Sequence, residues 1–109
     1  MSERTINKDN IKPTKIIEGV FRKTLAYNDS VMLCYFLLEK DAKIPQHNHN
    51  EHQIGYVVNG KIKFLTENGD FIAKTGDSYV FGSNEKHGAI LLEKSEIIEV
   101  FHPLRNDYK

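Results

Sequence analysis

The chain has 109 residues, which is the length of one domain with a single core. It carries 15 Lys and Arg residues against 15 Asp and Glu residues, so no net charge attracts it to nucleic acid or to an anionic membrane. The sequence has no apolar run that could span a bilayer and no signal-like segment in residues 1–10, so we expect a cytoplasmic protein. The single cysteine, Cys34, excludes an intramolecular disulfide and a cysteine-based zinc cluster.

The beginning of the chain is polar, and short apolar segments separated by turn residues follow it. We expect a loose arm over residues 1–12, one domain over residues 13–105 and a tail over residues 106–109. The first candidate strands are residues 15–18 and 20–27, and residues 28–30 form a turn by composition.

Residues 31–38 read VMLCYFLL and are apolar at both alternating sets of positions. A strand with two apolar faces must be covered twice, so one face lines the core and the other needs a second sheet or a second subunit. A helix is the alternative interpretation, but the β-branched and aromatic content favours a strand. Cys34 lies in this run, and we interpret it as a small buried hydrophobic residue and not as a nucleophile.

The second half of the chain continues this pattern. Pro45 fixes an extended approach to a histidine-rich loop. Asn59 and Gly60 predict a type I′ hairpin turn between two consecutive strands. Strands are predicted at residues 54–58, 61–66, 71–74, 78–81, 87–92 and 95–101, with turns at residues 67–70, 75–77, 82–86 and 93–94. About ten short strands without a helical period predict an all-β sandwich or barrel.

Three of the five histidines lie in the segment PQHNHNEHQ, which begins at Pro45. Side chains of an extended chain alternate between faces, so His47 and His49 point the same way, and Gln53 rejoins that face after a short loop. Two imidazoles and an amide oxygen suit a first-row transition metal ion. The alternative is that these residues are solvated polar groups of a loop.

The spacing of this segment resembles the first motif of the cupins, which are small double-sheet jelly rolls. That motif reads His-x-His, three or four residues, Glu, six residues and Gly. Here His47 and His49 are followed by Gln53 and, after six residues, by Gly60. Gln53 therefore stands where the general motif has a carboxylate.

A second stretch resembles the other cupin motif, which reads Gly, five residues, Pro-x-Gly, two residues and His. Here Gly76 is followed after five residues by Gly82 and Asn84, and then by His87 at the same spacing. Gly and Asn can supply the bend that Pro and Gly make in the family. The resemblance covers residues 31–105 and implies a double-stranded β-helix barrel. It also implies one divalent metal ion, of Ni, Zn, Co, Mn or Fe, held by His47, His49, Gln53 and His87.

The neutral amide of Gln53 bears on the chemistry of such a centre. Without a carboxylate ligand the ion keeps its full positive charge, which favours polarising a substrate oxygen over donating electrons to dioxygen. We therefore expect Lewis-acid chemistry before oxygenase chemistry.

The last strand resembles a subgroup of single-domain cupins more closely. These pectin-degradation cupins convert cyclic 4,5-unsaturated uronates to their linear keto form and end in a pattern like Asp-Val-Phe-Ser-Pro-x-Arg. Residues 99–105 read EVFHPLR, with Glu99 in place of Asp, and the extra methylene moves the carboxylate by about 1 Å. The resemblance implies that Glu99 and Arg105 are catalytic and that Phe101 and Arg105 bind substrate. The plain alternatives are an exposed glutamate, a core phenylalanine and a surface arginine.

Together these features predict a metal-dependent isomerase of carbohydrate metabolism that acts on a 4,5-unsaturated uronate or a similar oxygen-rich acid by Lewis-acid and general acid/base chemistry. The alternatives are a cupin dioxygenase of a small organic substrate and a non-catalytic module that binds a sugar or an acid. We expect a homodimer that buries the early strands, and no nucleic-acid or membrane partner. His52, His102 and Tyr56 are expected to lie outside the metal shell.

Overall fold

The computed structural model of the protein describes residues 4–109, and almost all of its regular structure is β-strand. The strands are β1 (Thr14–Ile17), β2 (Val20–Tyr27), β3 (Met32–Leu38), β4 (Lys43–His47), β5 (His52–Asn59), β6 (Lys61–Thr66), β7 (Gly69–Lys74), β8 (Ser78–Phe81), β9 (His87–Leu91) and β10 (Ser95–His102). Two single 3-10 turns, Lys8–Asn10 and Asn106–Tyr108, flank them. The all-β prediction is confirmed, and none of the helices in residues 4–109 is long and apolar enough to cross a membrane.

The strands form two antiparallel sheets whose inner faces pack together. The six-stranded sheet has the order β1-β2-β3-β10-β5-β8, and the four-stranded sheet has the order β4-β9-β6-β7. Consecutive strands repeatedly lie in different sheets, which is the jelly-roll arrangement predicted from the two motifs. The core lies between the sheets. In β3 the side chains of Met32, Cys34 and Phe36 are buried there, whereas Leu33 and Leu37 on the outer face are only half-buried.

The predicted hairpin at Asn59 and Gly60 is wrong. β5 pairs with β10 and β8, whereas β6 pairs with β7 and β9, so the chain crosses between the sheets at this point. Gly60 has φ of 122°, and a Cβ atom there would lie 2.0 Å from Oγ of Ser95. Gly60 therefore allows the chain to pass close to β10 as it crosses between the sheets, and it does not form a two-residue turn. Only glycine fits here, because it adopts this positive φ readily and has no side chain to collide with Ser95.

β4 was not predicted as a strand, and it carries the first histidine of the site. It lies at the edge of its sheet and pairs only with β9, which is where a strand can contain proline. A Cβ atom at Gly88 would lie 2.7 Å from the carbonyl oxygen of Ile44, so this glycine allows β4 to approach β9 closely. That approach brings His47 into register opposite His87.

Cys34 is confirmed as a buried residue, and its thiol is free. Its exposed fraction is 0%, and burial raises the pKa of its thiol to about 11. We expect iodoacetamide at pH 8 to label native protein at least 100-fold more slowly than a free cysteine, because both access and thiolate fraction are reduced. Mass spectrometry would measure this, and urea-unfolded protein is the control that should be labelled completely. Stoichiometric labelling within minutes under native conditions would contradict it.

Candidate metal centre and adjoining cavity

Three histidines from separate parts of the chain converge between the two sheets. His47 ends β4, His49 lies in the following loop, and His87 begins β9. Each histidine contributes one ring nitrogen to this cluster, and the three nitrogens all lie within 4.8 Å of one another. His47 and His87 are held opposite each other by the strand register, so their convergence follows from the pairing of β4 with β9.

The orientation of two of these rings is fixed by backbone carbonyl groups. Nδ1–H of His47 donates to the carbonyl oxygen of Pro45 at 2.9 Å, and Nδ1–H of His87 donates to that of Glu85 at 2.8 Å. This tautomer leaves Nε2 of each ring with a free lone pair. The His87 ring also stacks on Phe81, with centroids 4.2 Å apart and an interplanar angle of 4°.

Gln53 supplies a fourth donor beside the histidines. Its Oε1 lies 2.8 Å from Nε2 of His49, while its Nε2–H donates to Oε2 of Glu99 at 2.8 Å. Because Glu99 accepts from the amide nitrogen, the amide oxygen is turned towards the histidine cluster. The carboxylate of Glu51 lies 3.3 Å from Nδ1 of His49, a buried nitrogen that makes no hydrogen bond within residues 4–109.

These four side chains fit a single divalent transition metal ion. Imidazole nitrogens and one amide oxygen are suitable ligands, and two of the rings already have the backbone hydrogen bonds that support ligating histidines. Burial lowers the pKa of His87 to about 4, which keeps its imidazole in the neutral form that binds metal. Burial likewise lowers the pKa of His49.

Glu99 is a buried carboxyl group on β10 and is 6% exposed. Its Oε2 accepts hydrogen bonds from Gln53 and from the hydroxyl of Tyr79, the latter at 2.6 Å. Burial raises the pKa of Glu99 to about 7, although these two hydrogen bonds and the charge of Arg105 act in the opposite direction. The group is therefore poised to exchange a proton near neutral pH.

Tyr79 and Gly55 support this carboxylate, and the sequence analysis did not identify either of them. A Cβ atom at Gly55 would lie 2.2 Å from Cζ of Tyr79, so the glycine on β5 makes room for the tyrosine on β8. A glycine inside a strand signals such a close approach, and this signal was present in the sequence. The glycine alone does not identify Tyr79 as the neighbouring side chain, because β5 and β8 are not adjacent in the sequence.

Arg105 lies beside the cavity and is held by the end of the chain. Its guanidinium carbon lies 4.0 Å from the ring centroid of Tyr108 and 5.5 Å from that of Phe101. One terminal nitrogen donates to Asp107 at 3.0 Å, while the buried Nε has no hydrogen-bond partner within residues 4–109. The predicted polar tail thus contributes Tyr108 to the wall of the site, which the sequence analysis missed.

The donors border a cavity of about 270 Å³ between the sheets. Its polar lining comes from His47, Gln53, His87, Glu99 and Arg105. The remaining lining is mostly aliphatic and aromatic and includes Phe101. The predicted site residues except His49 therefore border one space, and His49 contacts Gln53, which does border it.

The three remaining candidates lie away from this space. The His52 ring is exposed, and its Nδ1 accepts from the backbone N–H of Ser83 at 3.2 Å. The exposed His102 ring contacts the carbonyl oxygen of Ser30 at 3.1 Å. Tyr56 is 45% exposed on the outer face of the six-stranded sheet. None of the three borders the cavity.

Comparison with known proteins adds independent information. A family model described as a cupin domain matches residues 34–101. The pectin degradation protein KdgF of Dickeya dadantii (strain 3937) is 37% identical over 93 residues, which cover 84% of each chain. The structure of KdgF from Halomonas sp. is similar with a TM-score of 0.89, 29% identity and 100% coverage of both chains. An RmlC-like cupin from Shewanella frigidimarina NCIMB 400 is similar with a TM-score of 0.93 and 26% identity, covering 99% of this chain and 97% of that one.

Proposed function

Because this chain belongs to the cupin family, we propose that it is a metal-dependent enzyme that converts a cyclic 4,5-unsaturated uronate to its linear keto form. The observation that carries the proposal is the buried Glu99 carboxylate, hydrogen-bonded to Gln53 at the edge of the histidine cluster, with Arg105 bordering the same cavity. The similarity to KdgF, a pectin degradation protein, supports the substrate class.

The reaction needs one proton to move and no oxidant. The C1–O5 bond breaks as the anomeric hydroxyl loses its proton, which gives an aldehyde at C1 and an enolate at C5. Addition of one proton at C4 then converts the enolate to a ketone. A carboxyl group that accepts a proton in the first step and returns one in the second therefore balances the reaction.

Each role falls to a side chain of the cavity. Glu99 carries the proton, and its pKa of about 7 populates both of its forms near neutral pH. Arg105 offers a planar guanidinium to the substrate carboxylate, and its Nε has no partner within residues 4–109. His47, His49, Gln53 and His87 would hold the ion. When bound, that ion supplies a Lewis acid for a substrate hydroxyl or keto oxygen.

The proposal is tested by ultraviolet absorbance. A 4,5-unsaturated galacturonate has a conjugated double bond that the linear keto product lacks, so metal-loaded protein should abolish its absorbance. Protein treated with a chelator is the control and should leave the absorbance to decay at the uncatalysed rate. Unchanged absorbance with metal-loaded protein from pH 5 to pH 9 would remove this substrate. Oxygen uptake with a phenolic or dicarbonyl substrate would then favour a dioxygenase, and tight binding of an unchanged acid would favour a binding module.

We also propose that the protein is a homodimer formed by the outer face of the six-stranded sheet, to which the early strands β1, β2 and β3 belong. One cross-strand row of this face contains Leu33, Val100, Ile54 and Val80, which are paired in register across β3, β10, β5 and β8. Ile54 is 53% exposed and Val80 is 65% exposed. A continuous apolar row across four strands is the type of surface that a second copy covers.

Ile54→Asp should convert this dimer to a monomer, because a charge at the centre of an apolar interface has no partner there. Sedimentation equilibrium at micromolar concentration measures the change in mass. Ile72→Asp is a matched control, since Ile72 is 52% exposed but lies on β7 in the other sheet. A monomeric mass for the wild-type chain would contradict the interface.

A further inference from the structure

The polar and apolar parts of the cavity lie at different ends of the inner face of β10. Phe101, Glu99 and Ile97 follow one another along this face, with about 7 Å between successive side chains of one face. Gln53 pairs in register with Phe101, so the metal-facing donors lie at the Phe101 end. Ile97 pairs in register with Phe36, and both lie further from Phe101 along the sheet than Glu99 does.

The part of the cavity at the Ile97 end is apolar. Its lining there comes from both sheets and consists of Val20, Phe36, Leu38, Ile44, Ile62 and Ile97. A hydroxyl group placed against these side chains would lose its hydrogen bonds to water without replacing them. A 4,5-unsaturated uronate, which has hydroxyl groups on C1, C2 and C3, is therefore suited only to the polar end.

β1 extends the apolar wall to the protein surface. A register shift between Lys15 and Ile17 marks a bulge, and both Ile16 and Ile17 line the cavity. In a regular strand, adjacent side chains point to opposite faces, so the bulge accounts for two consecutive isoleucines on one wall. Ile17 is 37% exposed, which places it near an opening of the apolar part.

We propose that the cavity also binds small 2-oxo or 2-hydroxy acids that carry an aliphatic side chain. The carboxylate faces Arg105, the adjacent oxygen faces the histidine cluster, and the aliphatic chain extends past Ile97 towards Ile17. This ligand class goes beyond the uronate reaction, although it uses the same polar end of the cavity. The volume of about 270 Å³ suits a molecule of this size and not a drug-sized ligand.

The test is a series of acids with one polar end and a growing side chain. Isothermal titration calorimetry of metal-loaded and metal-free protein would use pyruvate, 2-oxobutanoate, 2-oxopentanoate and 4-methyl-2-oxopentanoate. Affinity should rise about fourfold for each added methylene that enters the apolar part. A 2-oxo acid of six carbons with hydroxyl groups on carbons 4 to 6 should bind no better than pyruvate.

A substitution in the apolar wall distinguishes binding of the aliphatic side chain from binding of the polar end of the acid. Ile17→Thr keeps a β-branched residue on an edge strand, and it should weaken 4-methyl-2-oxopentanoate about tenfold while leaving pyruvate unchanged. Ile72→Thr makes the same replacement at a similarly exposed isoleucine that does not line the cavity, so it should change neither affinity.

Several results would overturn the inference. They are absence of binding by the whole series, equal affinity along it, tighter binding of the hydroxylated acid, and equal effects of Ile17→Thr on the short and long acids. The uronate assay is independent of these measurements. If affinity rises with the length of the side chain but the uronate is not converted, the proposed function is rejected and this ligand class is retained. If the uronate is converted but affinity does not rise with side-chain length, the proposed function is retained and this ligand class is rejected.

Discussion

Replacement of Glu99 by glutamine should lower kcat for the uronate reaction by about 10²–10⁴-fold, because the variant cannot carry a proton. The amide is nearly the same size as the carboxyl group, and its oxygen can still accept from Gln53 and Tyr79. Gln53 should thus remain turned towards the histidines, and metal content should stay at the wild-type level. Absorbance assays and elemental analysis of the same preparations would measure both quantities.

The same strand provides a matched control for this substitution. Glu96 accepts a hydrogen bond from Tyr35 at the outer face of β10, three residues before Glu99. Glu96→Gln therefore alters an equivalent tyrosine–glutamate pair that does not face the cavity, and its kcat should match that of the wild type. A Glu99→Gln enzyme with wild-type kcat, or an equal loss in Glu96→Gln, would exclude Glu99 as the proton carrier.

The stability of Glu99→Gln should depend on pH differently from that of the wild type. Burial raises the pKa of Glu99 from 4.5 to about 7 in the folded chain, so the folded state binds more protons than the unfolded state between these values. The free energy of unfolding of metal-free wild-type protein should therefore lose a contribution as pH rises from about 4.5 to about 7. Glutamine does not titrate, so the variant lacks this contribution. Urea denaturation at pH 5 and pH 8 should therefore show a larger fall in the free energy of unfolding for the wild type than for Glu99→Gln.

Replacement of His87 by alanine should weaken metal binding by about 10²–10³-fold and reduce turnover at limiting metal in proportion. A four-ligand site that contributes roughly 10–16 kcal/mol gains about 2.5–4 kcal/mol from each ligand, and each 1.4 kcal/mol is a factor of ten. Calorimetric titration of chelator-treated protein with Zn²⁺ or Ni²⁺ would measure the change. The truncation also removes the ring that stacks on Phe81, so a circular dichroism spectrum should establish that the variant is folded.

A histidine outside the cluster provides the comparison. His102 is exposed at the end of β10 and contacts only the carbonyl oxygen of Ser30 among its hydrogen-bonding partners in residues 4–109. His102→Ala should bind the ion with wild-type affinity. If a folded His87→Ala variant retained wild-type affinity, or if both substitutions weakened binding equally, the proposed ligand set would be incorrect.

The strand pattern was predictable because it depends on local chemistry. Alternating apolar residues and turn formers placed nine of the ten strands within two residues of their observed bounds. The strand β4 was missed because Pro45 interrupts its pattern, and an edge position that tolerates proline is a property of the assembled sheet. The Asn59–Gly60 hairpin failed for a related reason, since which strands pair is decided by packing between the sheets and not by the two residues at the turn.

The sequence by itself determined the all-β class and the cupin motifs, and it singled out candidate side chains such as His87 and Glu99, because motif spacing and side-chain alternation are properties of the linear chain. The tertiary structure decided how those side chains act together. It alone placed Tyr79 against Glu99, turned the Gln53 oxygen towards the histidines and brought Tyr108 beneath Arg105. Tyr79 and Gln53 reach Glu99 because β8, β5 and β10 are neighbours in one sheet, although they are distant along the chain. Tyr108 is near Arg105 along the chain, and the 3-10 turn Asn106–Tyr108 places its ring against the guanidinium group.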